Sequence, residues 1–304
     1  MKRFIPARLR NMTRWERRRL TTGLMFISPW IVGFLAFKVY PIVASFYYSF
    51  TYYDLIGAPQ WIGLENYRDL FVDRYFIKSV TNTLYYMVLA VPSGLTVAYL
   101  LALLLNRPLY GRSVLRTVFY LPTIVPTVAS AMLWLWILNV QFGVLNVALK
   151  SLGMTAIPWL AHPRWSKPSL ILIHLWYMGN TMIIFLAALQ DVPQSLYDAA
   201  KVDGAGAWRR LRHITLPITS PSILFNLITG LIGASQTFSL VYVLTNGGPA
   251  NSTLFYALYL YRNAFQYLRM GYGSAMAWVL FVGIAAVTVL VFRTSGRWVF
   301  YSGD

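Results

Sequence analysis

The chain has 304 residues, of which 58% are hydrophobic and 12% charged, against about 25% charged in an ordinary soluble domain, so a soluble globular enzyme is excluded. With 26 Lys and Arg against 9 Asp and Glu the formal charge is +17, and the position of that charge relative to the apolar runs carries more meaning than its total. No cysteine is present and the histidines are only His162, His174 and His213, which excludes thiol chemistry and cysteine-ligated zinc and leaves a poor metal kit.

A hydrocarbon core of about 30 Å needs roughly 20 apolar residues per helix. In chain order, six segments meet that need: Gly23 to Phe50, Thr83 to Leu105, Thr117 to Leu138, Ser169 to Leu189, Ser222 to Leu244 and Gly273 to Phe292. The expected fold is an all-α integral membrane protein of six transmembrane helices. Its parts are a basic arm (1–22), a first span with the loop after it (23–82), a core (83–292) containing a cytoplasmic segment (191–221), and a short tail (293–304). In the first span Lys38 and Pro41 fall in the outer half, with Lys38 expected to reach for the headgroups. With the N-terminus inside, the inner segments hold 17 of the 26 Lys and Arg. The loop after the first span carries Asp54, Glu65, Asp69 and Asp73 against three cations. Both features put the N- and C-termini in the cytoplasm. The basic arm faces the anionic inner leaflet, so lipid and not nucleic acid is the partner its charge points to.

All nine acids fall outside the spans, which removes the usual proton or sodium relay of a secondary transporter. No GxxxxGK[ST] loop is present, so nucleotide energy has to come from another polypeptide. Pro92, Pro122 and Pro126 each remove a helical hydrogen bond within a span and mark candidate kinks. Trp134, Trp136, Trp159 and Trp165 fit an interfacial belt.

The segment Asp191 to Pro221 parses as helix, turn, helix, stop. Ser195 and Asp198 form an S-x-x-D capping box, Gly204 stands where a left-handed cap ends the helix, and Gly206 loosens the turn. A basic helix follows over Ala207 to His213, and Pro217 is expected to end it. By spacing alone this is equally a connector lying on the membrane surface. Its residues decide more: Tyr197-Asp198-Ala199-Ala200, Asp203-Gly204-Ala205-Gly206 and Ile214-Thr215-Leu216-Pro217 closely resemble the EAA loop in the membrane subunits of ABC importers. The family's first Glu stands as Asp198 and its later Phe as Leu211. The resemblance implies a helix that docks on an ATP-hydrolysing subunit through Asp198, Ala199, Ala200, Asp203, Gly204, Leu211, Leu216 and Pro217, with Gly204 permitting close approach.

A second stretch, Leu244-Thr245-Asn246-Gly247-Gly248-Pro249 with Tyr256 to Tyr261 and Gly271-Tyr272-Gly273, is similar to the sugar permeases of type I ABC importers, as are Gly63-Leu64-Glu65-Asn66-Tyr67 and Asn82-Thr83. The resemblance runs from Gly23 onward. It implies the type I importer transmembrane fold in a bacterial or archaeal inner membrane. The implied assembly adds a second, different permease chain, two ATPase subunits that carry the ATP and Mg, and an extracytoplasmic binding protein, with no catalytic residue, metal or cofactor in this chain. A homodimer is the alternative assembly. A polyol or glycerol phosphate is the alternative solute, and a membrane-embedded sugar or lipid transferase the alternative class.

A desolvated sugar needs hydrogen-bonding groups for its hydroxyls and flat aromatic surfaces for its ring faces. His174, Tyr177 and Thr181 share one face of the fourth span, with Asn180 adjacent, and Asn226, Gly230, Gly233 and Thr237 share a face of the fifth, with Gln236 adjacent. Tyr177, Asn180, Thr181, Gly233, Gln236 and Thr237 are the expected sugar contacts, and His174 is read as a packing residue. Such stripes are also how membrane helices pack and hydrogen-bond one another. Neither stripe contains Lys or Arg, which favours a neutral sugar.

Overall fold

The computed structural model describes residues 13–300. Among these residues four unbroken helices are long and apolar enough to cross a membrane, and two bent pairs raise the number to six if each pair crosses once.

Helix α1 (Arg14–Tyr48) opens on a capping box, in which the Thr13 hydroxyl accepts from the Glu16 N–H and the Glu16 carboxylate accepts from the Thr13 N–H at 2.7 Å. The basic arm is thus helical from Arg14, and its first twelve residues lie outside the described part of the chain. A π turn over Leu35–Val39 sits just ahead of Pro41. This widened turn makes room for a ring that has no N–H to donate and would otherwise press on the carbonyl four residues back. A hairpin follows, β1 (Thr51–Tyr52) antiparallel to β2 (Gln60–Trp61) with Thr51 opposite Trp61. Next come α2 (Glu65–Val72) and α3 (Arg74–Leu105).

The third expected span is not one helix. It divides into α4 (Arg112–Tyr120), a 3-10 turn (Leu121–Thr123) and α5 (Thr127–Ile137), with a bend of 98°. Pro126 stands at the N-cap of α5 and withholds the donor that a continuous helix would need. After α6 (Val144–Ser151), the fourth span also divides, into α7 (Pro163–Trp176) and α8 (Gly179–Gln190), bent by 48°. The two breaks touch. A Cβ on Gly179 would stand 2.4 Å from the Phe119 carbonyl oxygen, so the backbones meet where both helices are interrupted, and only glycine fits there.

Helix α9 (Gln194–Val202) leads into α10, which runs unbroken over Ala207–Ser235. The expected stop at Pro217 is therefore corrected. A π turn over Leu211–Thr215 precedes Pro217 as the earlier one precedes Pro41, and it carries the helix through the proline. The fifth span ends sooner than expected, at Ser235, with Gln236 to Phe238 non-helical before α11 (Ser239–Leu244). The chain finishes with α12 (Tyr256–Tyr261) and α13 (Met270–Ser295).

Helix α3 is the axis of the packing. Ala90, Ala98 and Ala102 on it are fully buried, because small side chains let neighbouring helices approach closely. Around its C-terminal half Tyr99 and Leu105 pack with Met182, Phe185 and Leu189 of α8. Around its N-terminal half Phe76, Tyr86 and Met87 pack with Leu170, Ile173, Tyr256 and Met276. Trp134 and Trp159 pack against this second cluster instead of joining an interfacial belt, and the Trp159 indole donates to Asn146 Oδ1 at 3.1 Å. Trp136 is exposed as a belt requires.

Candidate functional site

The polar stripes of the fourth and fifth spans face each other across two adjoining cavities. One, of about 350 Å³, is lined by Tyr177, Asn180, Thr181, Asn226 and Gly230 together with Gly94 of α3. The other, of about 370 Å³, is lined by Tyr86, Thr127, Tyr177, Gly233, Thr237 and Phe238. His174 and Gly230 line both. The breaks make this space. Tyr177 occupies the last position of α7, where its N–H bonds the His174 carbonyl in a closing turn, so its ring leaves the helix axis and reaches between α7 and α10. Its hydroxyl is buried and has no hydrogen-bond partner among the described residues. Thr237 lies in the non-helical step after α10, its hydroxyl donating to the Gly233 carbonyl at 3.3 Å. Gln236 is exposed and lines neither cavity.

His174 does pack. Its ring meets Tyr86 edge-on with centroids 5.8 Å apart, and its Nε2 fills the space beside Gly94, 3.0 Å from where a Cβ would stand. It borders the cavities as well as supporting their wall. Tyr86 and Phe238, absent from the sequence-based set, also face the outer cavity. Aromatic identity alone does not reveal such positions, because the adjacent Tyr85 carries the same ring as Tyr86 and is exposed.

At the end of the molecule that carries the segment 191–221, α9 begins on Pro193 rather than Ser195. Ser195 therefore has helical backbone and does not cap, and the expected capping box is replaced by other partners. Asp198 accepts from Lys201 Nζ at 2.8 Å and from Gln194 Nε2 at 3.3 Å, and these bonds hold its carboxyl below the usual range. The end of α9 is the left-handed one expected. Gly204 has φ +70°, Ala205 N–H bonds the Ala200 carbonyl at 2.8 Å, and Gly204 N–H bonds the Lys201 carbonyl at 3.0 Å. These paired bonds satisfy carbonyls that a helix end leaves open, and nothing lies within 4 Å of the place a Gly204 side chain would take. Val202 and Trp208, unremarked in the motif, are 89% and 73% exposed beside it, an apolar pair in a basic, exposed segment.

This segment is tied to the span core by hydroxyls. Tyr197 and Thr215 share a hydrogen bond of 3.0 Å, the Thr219 hydroxyl donates to the Thr215 carbonyl at 2.8 Å, and Thr219 and Tyr99 share another of 2.8 Å. Because the single Thr219 proton goes to Thr215, the Tyr99 hydroxyl is the donor in the last bond. The backbone N–H of Phe300 donates to Ser220 Oγ at 2.8 Å, which brings the C-terminal residues to the same end.

At the other end, the loop around Gly247-Gly248-Pro249 is clamped to α3. Asn82 donates to the carbonyls of Asn251 and Leu254 at 2.8 and 3.1 Å, and Thr83 Oγ1 accepts from the Tyr256 N–H at 2.8 Å. Asn82-Thr83 and the Gly-Gly-Pro loop, separate in sequence, are thus one structural unit. Asp73 caps α3 by accepting from the Tyr75 N–H, and it also accepts from the hydroxyls of Tyr259 and Tyr272 at 2.5 and 2.7 Å. Partial burial pushes its carboxyl up, but the Tyr259, Tyr272 and backbone donors outweigh that and hold it below the ordinary value. No cluster of three or more metal-ligating side chains occurs among the described residues.

Comparison with known proteins agrees with this architecture. The chain is 44% identical over 284 residues to the probable ABC transporter permease protein YesP of Bacillus subtilis (strain 168), covering 92% of each protein. It is 35% identical over 297 residues to the sulfoquinovosyl glycerol transport system permease protein SmoG of Agrobacterium fabrum, covering 96% of each. A bacterial alginate ABC transporter crystallised with an alginate pentasaccharide-bound periplasmic protein contains a chain that superposes with a TM-score of 0.81 at 27% identity, over 92% of this chain and 96% of that one. The model of the binding-protein-dependent transport system inner membrane component matches residues 77–299, and the chain belongs to that family of ABC importer permeases.

Proposed function

We propose that this chain forms half of the translocation pathway of an ATP-driven sugar importer and is driven through the segment 191–221 by a separate ATPase subunit. The observation that carries the reading is the pair of adjoining cavities between α3, α7, α8 and α10, polar on two walls and aromatic on a third, on a chain whose exposed helix α9 ends at Gly204. Relatives named for sulfoquinovosyl glycerol, lactose and trehalose/maltose transport support a sugar as the solute. In this reading Tyr177, Asn180, Thr181, Gly233 and Thr237 contact the sugar and Gln236, exposed, does not.

Asp198, Ala199, Ala200, Asp203 and Gly204 meet the ATPase together with Val202 and Trp208, while Leu211, Leu216 and Pro217 carry the docked helix into α10. ATP and Mg sit on the partner. The basic end of α1 and the tail at Phe300 face the cytoplasm, and the hairpin with α2 faces a solute-binding protein outside. A second permease chain completes the pathway.

The test is to purify the chain from its native membrane in mild detergent. Recovery with an ATPase, a second permease and a binding protein supports the reading, and Gly204→Arg should then abolish uptake while α1 to α8 stay folded. Recovery of the chain with no nucleotide-binding partner rejects it.

A further inference from the structure

A row of aromatic rings begins at the wall of one cavity and ends in the open. Phe238, in the non-helical step after α10, lines the cavity that Tyr177 and Thr237 also line. Its ring stacks on Tyr242 of α11, with centroids 5.4 Å apart and an angle of 25° between the planes, and it meets Tyr261 of α12 at 4.9 Å. Tyr242 and Tyr261 meet at 5.9 Å, and Tyr261 meets Phe265 at 5.5 Å, so each ring touches the next. Tyr242 is 39% and Phe265 57% exposed. The row runs from the cavity toward the Gly247-Gly248-Pro249 loop, because Arg262, between Tyr261 and Phe265 in sequence, donates from Nη2 to the Asn246 carbonyl and to Asn246 Oδ1 at 2.8 and 3.1 Å.

The backbone beneath the row is a π turn over Arg262–Gln266. The π turns at Leu35–Val39 and Leu211–Thr215 each precede a proline that accounts for them, whereas no proline occurs after Pro249. Single π turns in helices recur at functional sites. This one is anchored on one side only. Asn263 and Ala264 are buried, Asn263 donates to the Tyr259 carbonyl at 2.9 Å, and a Cβ on Gly273 would stand 2.7 Å from that of Ala264. With those two residues turned inward, Tyr261 and Phe265 are left to the row. An interfacial belt also exposes aromatic rings, but a belt ring has no need to touch a cavity wall, and this row does so at Phe238. Flat aromatic surfaces suit the apolar faces of sugar rings, whose hydroxyls need polar groups close by. Tyr242 and Tyr261 bring hydroxyls, and Arg262 carries N–H groups on two nitrogens besides the one bonded to Asn246.

We propose that Phe238, Tyr242, Tyr261 and Phe265 form an aromatic track on which sugar rings stack outside the cavity, so that a saccharide is held along its length as it enters. This rests on the transport reading of the cavities above.

Phe265 is replaced by photoreactive p-benzoylphenylalanine in the importer purified with its partner subunits and placed in nanodiscs. The complex is irradiated with maltotriose, cellotriose, mannotriose or galactotriose, and adducts are read by mass spectrometry. A saturable adduct with at least one of the four supports the track. Absence of any saccharide adduct overturns it, whether the probe labels lipid, as in an interfacial belt, or a partner chain, as at a subunit interface. In proteoliposomes Phe265→Leu, which keeps apolar bulk and removes the flat face, should lower uptake of the trisaccharide that labels about fivefold at low concentration, the order expected of one aromatic contact, with the thermal midpoint of the complex unchanged. Phe265→Trp should keep most of the uptake. Unchanged uptake in the Leu variant overturns the proposal. If the wild-type importer moves no saccharide, the transport reading fails, whereas the adducts still report whether the track takes sugar rings.

Discussion

The Tyr177 hydroxyl is buried and, among the described residues, has no hydrogen-bond partner. Burying a hydroxyl without a partner costs about 1–3 kcal/mol, and this one borders both cavities. Tyr177→Phe should therefore leave the thermal midpoint of the purified complex equal or higher while lowering sugar uptake roughly tenfold; a lower midpoint with unchanged uptake would show that the hydroxyl serves the fold. Asp73 is the opposite case, a carboxylate whose bonds are all made. Its folded pKa lies below the ordinary value of 3.8, so its contribution to stability is complete above that value and is lost as pH falls through the lower folded one. Asp73→Asn should lower the thermal midpoint at pH 7, and the gap between variant and parent should close on acidification below about pH 4. Tyr177 was legible in the sequence as a member of a polar stripe, whereas the role of Asp73 was not. Asp73 reads there as one acid of a net-negative loop, and its tyrosine donors stand 186 and 199 residues away along the chain.

Elements explain how the two ends communicate. The chain Tyr197, Thr215, Thr219, Tyr99 links the inner segment to α3 through hydroxyls that bridge the π turn. Neither Tyr197→Phe nor Thr219→Val changes much volume, so each should spare assembly with the ATPase and lower the number of sugars moved per ATP hydrolysed in proteoliposomes. Equal falls in hydrolysis and uptake would instead indicate a docking defect. The prolines show how far element boundaries can be read. Pro126 and Pro217 look alike in sequence, each inside or beside an apolar run, yet one divides a span by 98° and the other is carried through. The difference lies in the preceding turn, extended backbone at Pro126 and a π turn at Leu211–Thr215. Thr215 and Thr219 of that stretch also bond Tyr197 and Tyr99, partners that no local pattern specifies.

At the scale of the whole molecule, the number of crossings follows from whether the bent pair α4 and α5 traverses the bilayer or returns. Six crossings put both ends of the chain on one side. Green fluorescent protein fused after Phe300 and, separately, before Met1 should fluoresce in both cases, and alkaline phosphatase inserted in the Leu55 to Pro59 loop should be active. Loss of fluorescence at the C-terminal fusion alone would make α4 and α5 a re-entrant pair and the crossings five. Helix α1 belongs to this scale as well. None of its residues from Arg14 to Phe34 is buried, so it meets lipid or another subunit along that length.

The apolar runs and the placement of basic residues were enough to specify a multi-span helical membrane protein, because hydrocarbon admits only long stretches with satisfied backbones. The same holds for the left-handed end at Gly204, since a positive φ there leaves glycine as the unstrained choice. Tertiary structure alone decided where spans break and what the breaks expose. Gly179 is an ordinary glycine until Phe119 lies against it, and Tyr177 reaches the cavities only because α7 stops beside it. Lys167 similarly reads as a loop-edge lysine until Asn82 and Tyr85 of α3 lie against it. Helix propensity and hydropathy act within a few residues, whereas these positions are set by backbones and side chains that meet across tens or hundreds of residues of chain.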